Sequence, residues 1–199
     1  MSEDTEPARW LAGGWLTGAL HCRSPNRNAR PPGAEVNLAL IHSISLPPGR
    51  YGGGSIERLF TNRLDVTAHP YFETLRGLQV SSHFLLRRDG ELHQFVGCDE
   101  RAWHAGVSEW RGRSNCNDFS IGVELEGLEG LLFEPAQYVA LVQLLRALAS
   151  RYPIRDVAGH EHVAAGRKRD PGPGFDWQRV AEDLGWSAQC FPESLHLAV

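Results

Sequence analysis

The clearest alternation of apolar and polar residues lies between Phe119 and Leu125. Every second side chain there is apolar, which predicts a strand that packs one face on a core. Glu124 lies on the opposite face, and Glu126 continues that face beyond the run. The pattern therefore predicts one strand that presents two carboxylates on its polar side.

Further short apolar runs predict other strands. Val36–Ile41 has the length of a strand and ends at His42. Val80–Arg87 and Leu92–Val96 are two strand-like runs separated by a segment that contains Asp-Gly, which is a strong hairpin signal. The prolines and glycines of Pro47–Gly54 exclude regular structure, so this segment is expected to be a loop.

Two segments have the pattern of helices. Pro135–Tyr152 begins with proline, which suits a first helical turn, and carries an apolar stripe. The stripe consists of Val139, Val142, Leu145 and Ala149, widened by Leu141, Leu144 and Leu148. Trp177–Leu184 predicts a last short helix that opens at Asp176. Several strands, few long helices and one hairpin predict a mixed α/β or α+β sheet domain.

Length, composition and charge narrow the class of protein. A chain of 199 residues suits one domain, and an apolar fraction of 42% is ordinary for a globular protein. The net charge of -4 argues against a nucleic-acid partner, because such binding relies on clustered positive charge. No window approaches the roughly 18 apolar residues of a membrane span, so no membrane partner is expected.

The N-terminus and the cysteines indicate a compartment. Met1–Trp10 is acidic and polar, and it lacks the basic start and apolar stretch of a secretory signal. The four cysteines are scattered without a CxxC pair, which predicts free thiols and excludes a cysteine-rich zinc knuckle. We therefore expect a cytoplasmic protein.

Lysine is almost absent from the chain. Nineteen of the twenty basic residues are arginine, and the single lysine is Lys168. Where a genome exchanges the two so freely, a remaining lysine is either a chance survivor or lies at a site that needs a compact ammonium in place of a planar guanidinium. Composition alone leaves both interpretations open.

Among the histidines, His42 and His160 differ by position. Each directly follows a short run of apolar or small residues, which predicts a rigid strand end. Asp170 precedes Pro171–Gly174, whose prolines and glycines fix the backbone direction. Two imidazoles and one carboxylate suffice for a catalytic zinc ion, with ordinary packed histidines as the alternative. His104, in a loop beside an aromatic residue, is a candidate for the lining of a binding cleft.

Four blocks of the chain resemble a known family. They are 41–49 (IHSISLPPG), 101–108 (RAWHAGVS), 117–127 (NDFSIGVELEG), and Gly159-His160 together with 167–172 (RKRDPG). In this order they are similar to the AmpD-type N-acetylmuramoyl-L-alanine amidases, which are cytoplasmic zinc enzymes of the peptidoglycan-recognition-protein (amidase-2) superfamily. The resemblance implies one amidase domain over residues 1–199, with a core at about 15–184 and a C-terminal tail at 185–199.

The resemblance also implies roles for particular residues. His42, His160 and Asp170 match the zinc ligands, Glu124 matches the catalytic carboxylate, and Lys168 matches the catalytic lysine. The implied fold is a central mixed sheet flanked by helices, with zinc at the floor of a groove. The implied substrates are 1,6-anhydro-N-acetylmuramyl peptides from cell-wall turnover, cut at the amide bond between the lactyl group and L-alanine.

Substrate contacts are expected at three further residues. Trp103 and His104 are interpreted as groove walls for the sugar and the peptide. Ser43 directly follows the first ligand, where the family commonly has an asparagine that is expected to hydrogen-bond the substrate. The expected partner is a small muropeptide, bound by a monomer.

Two other functions are alternatives at this point. One is a module that binds muropeptides without cutting them, although such modules usually lack a ligand or the catalytic pair. The other is a lytic N-acetylmuramoyl-L-alanine amidase that acts on the intact wall. The absence of a signal segment and the acidic net charge argue against it, because a polyanionic wall favours basic patches.

Overall fold

The computed structural model describes residues 9–192, so the last seven residues of the predicted tail lie outside the described part. Its strands are β1 Trp10–Leu11, β2 Trp15–Leu16, β3 Leu20–His21, β4 Arg27–Ala29, β5 Leu38–Ile44, β6 Phe84–Leu86, β7 Leu92–Gln94, β8 Glu100–Ala102, β9 Glu109–Trp110, β10 Arg113–Ser114, β11 Ser120–Glu126 and β12 Asp156–Gly159. Its α-helices are α1 Ser55–Phe60, α2 Pro70–Glu73, α3 Pro135–Arg151, α4 His160–Val163 and α5 Trp177–Leu184, and two 3-10 turns span Cys116–Asp118 and Ala188–Cys190.

Six strands form a central mixed sheet in the order β12-β5-β11-β6-β7-β3. Strands β12, β5, β11 and β6 are parallel, β7 is antiparallel to β6, and β3 is parallel to β7. The β6–β7 pair is the hairpin that Asp-Gly predicted, with Leu86 opposite Leu92. The predicted class, a mixed α/β fold with a central mixed sheet flanked by helices, is confirmed.

The alternation along β5 and β11 separates the two faces of the sheet. One face packs against α3 and α5 in the main core, through Ala39, Ile41, Ile121, Val123 and Leu125. The opposite face of β11 carries Ser120, Gly122 and Glu124, and all seven residues of that strand are buried. The second face of β11 therefore carries its buried polar side chains.

Helix α3 covers the first face, and its bounds agree with the prediction to within one residue. The predicted stripe was partly wrong, because Val139 is 53% exposed and Ala149 is exposed as well. Tyr138 is buried in its place, and its hydroxyl accepts a hydrogen bond from the backbone N–H of Asp176 at 2.9 Å. A tyrosine fits this interior position because its polar end has a partner.

Two further predictions concern the state of the cysteines and the presence of membrane-spanning helices. All four cysteines are free thiols, as predicted. Within residues 9–192, no helix has the length and apolar character that crossing a membrane requires.

Candidate metal centre and active-site cavity

Parallel strand register brings two histidines and a glutamate together. His42 on β5 lies opposite Glu124 on β11. Gly159 on β12 lies opposite Ile41, so the next residue, His160, arrives beside His42. Strand β5 was expected to end at His42 but continues to Ile44, which means that His42 is held within a hydrogen-bonded strand.

The loop after α4 brings Asp170 to the same place. The backbone N–H of Glu161 donates to the carbonyl oxygen of Asp170 at 2.8 Å, which ties the loop to the start of α4. Pro171 packs on Gly159, where a Cβ atom would lie only 2.8 Å from the proline ring. Glycine at position 159 therefore allows the aspartate loop to approach the end of β12.

Three potential ligand atoms converge. His42 Nδ1 and His160 Nδ1 are 3.0 Å apart, and each lies 3.1 Å from Asp170 Oδ2. His160 Nε2 is 3.0 Å from the carbonyl oxygen of Ala105, which can only accept, so Nε2 carries the proton and Nδ1 offers a lone pair. One carboxylate oxygen and two imidazole nitrogens that face one another can hold a cation between them. This donor set fits a metal ion such as zinc.

The protonation states of these groups also suit a metal. Burial, and then the nearby His160, lower the pKa of His42 to about 4. Burial opposes the ionisation of Asp170, but the adjacent His160 and His42 outweigh that effect and hold the pKa of Asp170 well below its usual range. A neutral imidazole and an ionised carboxylate are the forms that bind metal.

All eight residues singled out from the sequence line one cavity of about 480 Å³. They are His42, Ser43, Trp103, His104, Glu124, His160, Lys168 and Asp170. The volume lies within the range of small-molecule sites. The structure thus brings together residues separated by up to 128 positions in the sequence.

Glu124 is buried in this cavity with little compensation. Its Oε2 atom has no hydrogen-bond partner within residues 9–192. Burial, and then the charge of Asp170, raise the pKa of Glu124 well above its ordinary value, and Lys168 opposes that shift. Lys168 itself is exposed at the cavity wall. A buried carboxyl with a raised pKa holds a proton more tightly than an exposed one, which suits a group that accepts and returns a proton in acid–base catalysis.

The three expected substrate contacts differ in their surroundings. Trp103 is half-buried, and its Nε1 donates to Asn28 Oδ1 at 2.6 Å. Ser43 is half-buried beside the metal centre. His104 lines the cavity and also contacts a candidate metal ligand, because its Nδ1 is 3.0 Å from His42 Nε2.

An apolar wall of the cavity was missed in the sequence. It comes from α1, α2 and the segment after α2, and consists of Leu59, Phe60, Tyr71, Leu75, Leu78 and Val80. Tyr71 and Leu78 are 36% and 45% exposed. The sequence does contain large apolar residues within the otherwise polar segment 61–80. The local pattern does not show which of them line the cavity surface.

Comparison with known proteins gives a consistent result. Residues 32–173 match the Amidase_2 family, N-acetylmuramoyl-L-alanine amidase. The 1,6-anhydro-N-acetylmuramyl-L-alanine amidase AmpD of Escherichia coli (strain K12) is 50% identical over 171 residues, which cover 85% of this chain and 93% of the relative.

Solved structures agree with this match. The crystal structure of a selenomethionine AmpD derivative superposes with a TM-score of 0.85 and 49% identity, covering 88% of this chain and 99% of the other. The E. coli amidase AmiD, in complex with anhydro-N-acetylmuramic acid-L-Ala-D-gamma-Glu-L-Lys, has a TM-score of 0.56 and 30% identity, covering 89% of this chain and 65% of that one.

Proposed function

Because this chain belongs to the N-acetylmuramoyl-L-alanine amidase family, we propose that it hydrolyses the lactyl–L-alanine amide bond of 1,6-anhydro-N-acetylmuramyl peptides, with one zinc ion as cofactor. The observation that carries this proposal is the convergence of His42, His160 and Asp170 in a cavity that also contains Glu124 and Lys168. The substrate class is supported by the name of the E. coli relative.

His42, His160 and Asp170 hold the metal in this proposal. A bound zinc ion supplies Lewis acidity, which polarises a carbonyl oxygen and makes water more acidic. Glu124 accepts the proton of the attacking water and delivers it to the departing L-alanine nitrogen. Its unpartnered Oε2 is available for that proton. The ammonium group of Lys168 stabilises the negative charge that develops on the carbonyl oxygen.

Substrate binding is assigned to the walls of the cavity. The apolar wall that contains Tyr71 and Leu78 offers surface to the sugar and the peptide stem, and Trp103 extends it. Ser43 provides a hydroxyl near the metal ligands. His104 also belongs to the lining of the cavity, and its ring nitrogen contacts His42.

The proposed setting is peptidoglycan recycling in the cytoplasm. Four free thiols are compatible with a reducing compartment, and the acidic net charge disfavours nucleic acid as a partner. We propose that the chain acts as a monomer with a single amidase domain, and that its partner is the muropeptide alone.

The proposal is tested by metal analysis and by mass spectrometry of products from anhydro and non-anhydro muropeptides. We expect one zinc ion per chain, and cleavage of the anhydro substrate to a free peptide that begins with L-alanine. A chelator should abolish cleavage, and added zinc should restore it. Binding without product would identify a muropeptide-binding module, whereas equal cleavage of both substrates and of intact wall would identify a general lytic amidase.

The ligand assignment has its own test. Asp170→Ala removes one of the three converging donors, so the purified variant should lose both zinc and activity. Stoichiometric zinc in this variant would show that the assignment is wrong.

A further inference from the structure

His104 contacts the far side of the His42 ring, away from the proposed metal. His42 Nε2 and His104 Nδ1 are 3.0 Å apart, and the two ring planes are nearly perpendicular at 86°. His104 Nε2 is 3.3 Å from Ser120 Oγ. The imidazole of His104 thus lies between a metal-centre histidine and a serine hydroxyl of β11.

The donor and acceptor roles in the series of contacts from His42 through His104 to Ser120 follow from the proposed metal centre. If His42 Nδ1 offers its lone pair to the metal, the proton of the neutral ring is on Nε2, which then donates to His104 Nδ1. With Nδ1 accepting, the proton of His104 is on Nε2, which donates to Ser120 Oγ. Both contacts in this series therefore have one donor and one acceptor.

Ala105, which follows His104, accepts a hydrogen bond from the second histidine, His160. The carbonyl oxygen of Ala105 accepts from His160 Nε2 at 3.0 Å. The backbone N–H groups of His104 and Ala105 both donate to Asn117 Oδ1, at 3.1 and 2.9 Å. One side chain thus fixes a two-residue segment that contacts both imidazoles of the metal centre.

Space for the His104 ring exists because residue 122 is glycine. A Cβ atom there would lie 2.6 Å from His104 Nδ1 and 2.7 Å from its Cγ. Gly122 stands in a fully buried strand, where glycine is otherwise unfavourable. The close approach of the imidazole gives a physical reason for it.

We infer that His104 is a positioning residue which, together with the Ala105 carbonyl, holds His42 and His160 with Nδ1 turned toward the metal, and that Gly122 admits its ring. The inference rests on the metal centre of the proposed function. It assigns to His104 the orientation of a ligand, in addition to its position in the lining of the cavity. Partners of this kind typically contribute a factor of 10 to 100 in metal affinity.

The test is the zinc dissociation constant of the full-length protein, measured by competition with a chelator and without substrate. His104→Ala should raise the zinc Kd by roughly 10- to 100-fold. His104→Asn should recover much of this loss, because its amide oxygen can accept from His42 Nε2. Gly122→Ala should weaken zinc binding in the same direction as His104→Ala, because the new methyl group displaces the ring.

A matched control separates orientation from general packing. His83 is a fully buried imidazole that accepts from the backbone N–H of Gly122 and contacts the carbonyl oxygen of Glu100, with its ring 5.6 Å from that of His104. His83→Ala should lower the melting temperature but change the zinc Kd far less than His104→Ala. Equal weakening of zinc binding by both variants would overturn the inference in favour of a packing role.

Proton NMR supplies a second readout. In the zinc-loaded wild type, the His42 Nε2–H proton should give a slowly exchanging downfield resonance, which His104→Ala should lose. A folded His104→Ala protein with the wild-type Kd and resonance would overturn the inference and leave the amidase proposal intact. Failure of the wild type to bind zinc would instead overturn the proposed metal centre.

Discussion

Two carboxylates on the same face of β11 have opposite surroundings. Glu124 and Glu126 are two residues apart and are 8% and 2% exposed. Glu126 Oε1 accepts from Arg87 Nη1 at 2.7 Å and from the backbone N–H of Gly52 at 2.6 Å. Glu124 lines the same cavity as the three candidate metal ligands, and its Oε2 has no partner in the described part of the chain.

The difference shows that burial alone does not separate a structural carboxylate from a candidate for proton transfer. Burying a charge is costly unless a partner compensates it, and Arg87 provides that compensation for Glu126. Glu126 in turn holds the loop at Gly52 and stabilises local structure. Glu124 has only the charge of Lys168 to offset its burial, and its Oε2 has no hydrogen-bond partner in the described residues, which is the condition associated with groups that move protons. The two residues should therefore respond in opposite ways to the same substitution.

The largest expected effect is on turnover in Glu124→Gln. Without the carboxylate, kcat should fall by roughly 10²- to 10⁴-fold, the usual contribution of a general acid–base group. Zinc content should remain one per chain, and the free energy of unfolding should stay the same or increase, because a buried charge is removed. Steady-state kinetics on an anhydromuropeptide provide the measurement, and near wild-type cleavage would mean that another group is the base.

A slightly smaller effect is expected for Lys168→Met. Loss of an oxyanion donor should reduce kcat by about 10²- to 10³-fold. Unfolding should change little, because this side chain is exposed. Lys168→Arg is the matched control, and it should restore only part of the rate because a planar guanidinium differs in shape from an ammonium. Full activity of Lys168→Met would leave the lone lysine as a chance survivor.

Glu126→Gln should show the opposite pattern. Weakening the buried contact with Arg87 should lower the free energy of unfolding by about 1–3 kcal/mol. The loss is limited because Arg87 also pairs with Glu57. Urea denaturation measures the stability, and kcat of the folded protein should remain close to the wild type. A fall in kcat as large as that of Glu124→Gln would remove the distinction between the two carboxylates.

The smallest effect is the pH dependence of stability in chelator-treated protein. The folded-state pKa of Glu124 is raised above its ordinary value of 4.5. Between those two pKa values the folded state binds more protons than the unfolded state, so this group makes stability fall as pH rises. The slope from one group is at most about 1.4 kcal/mol per pH unit.

Glu124→Gln provides the comparison for that measurement. Urea denaturation of both proteins from about pH 5 to 8 should show the variant gaining stability relative to the wild type as pH rises. Parallel curves would show that burial does not penalise the ionised form of Glu124.

Much of the fold followed from local pattern. The alternation at 119–125 predicted the strand with two carboxylates, and Asp-Gly predicted the β6–β7 hairpin. Trp177–Leu184 is helical as expected, and at its start the side chain of Asp176 accepts a hydrogen bond from the backbone N–H of Arg179. These predictions succeed because side-chain periodicity and turn chemistry depend on residues close in sequence. Val139 was predicted on the buried stripe of α3 but is exposed, because burial depends on what packs against the helix.

The strands, the hairpin, the order of the family motifs and the candidate residues could all be predicted from the sequence alone. Each of these features depends on residues that are neighbours along the chain. Only the tertiary structure decided that β12, β5 and β11 lie side by side in parallel register, which brings His160 and Glu124 to His42. It also decided that Glu126 has Arg87 as a partner, and that His104 lies behind His42. These facts depend on contacts between residues far apart in the chain, and alternation along one strand is the same whichever strand lies beside it.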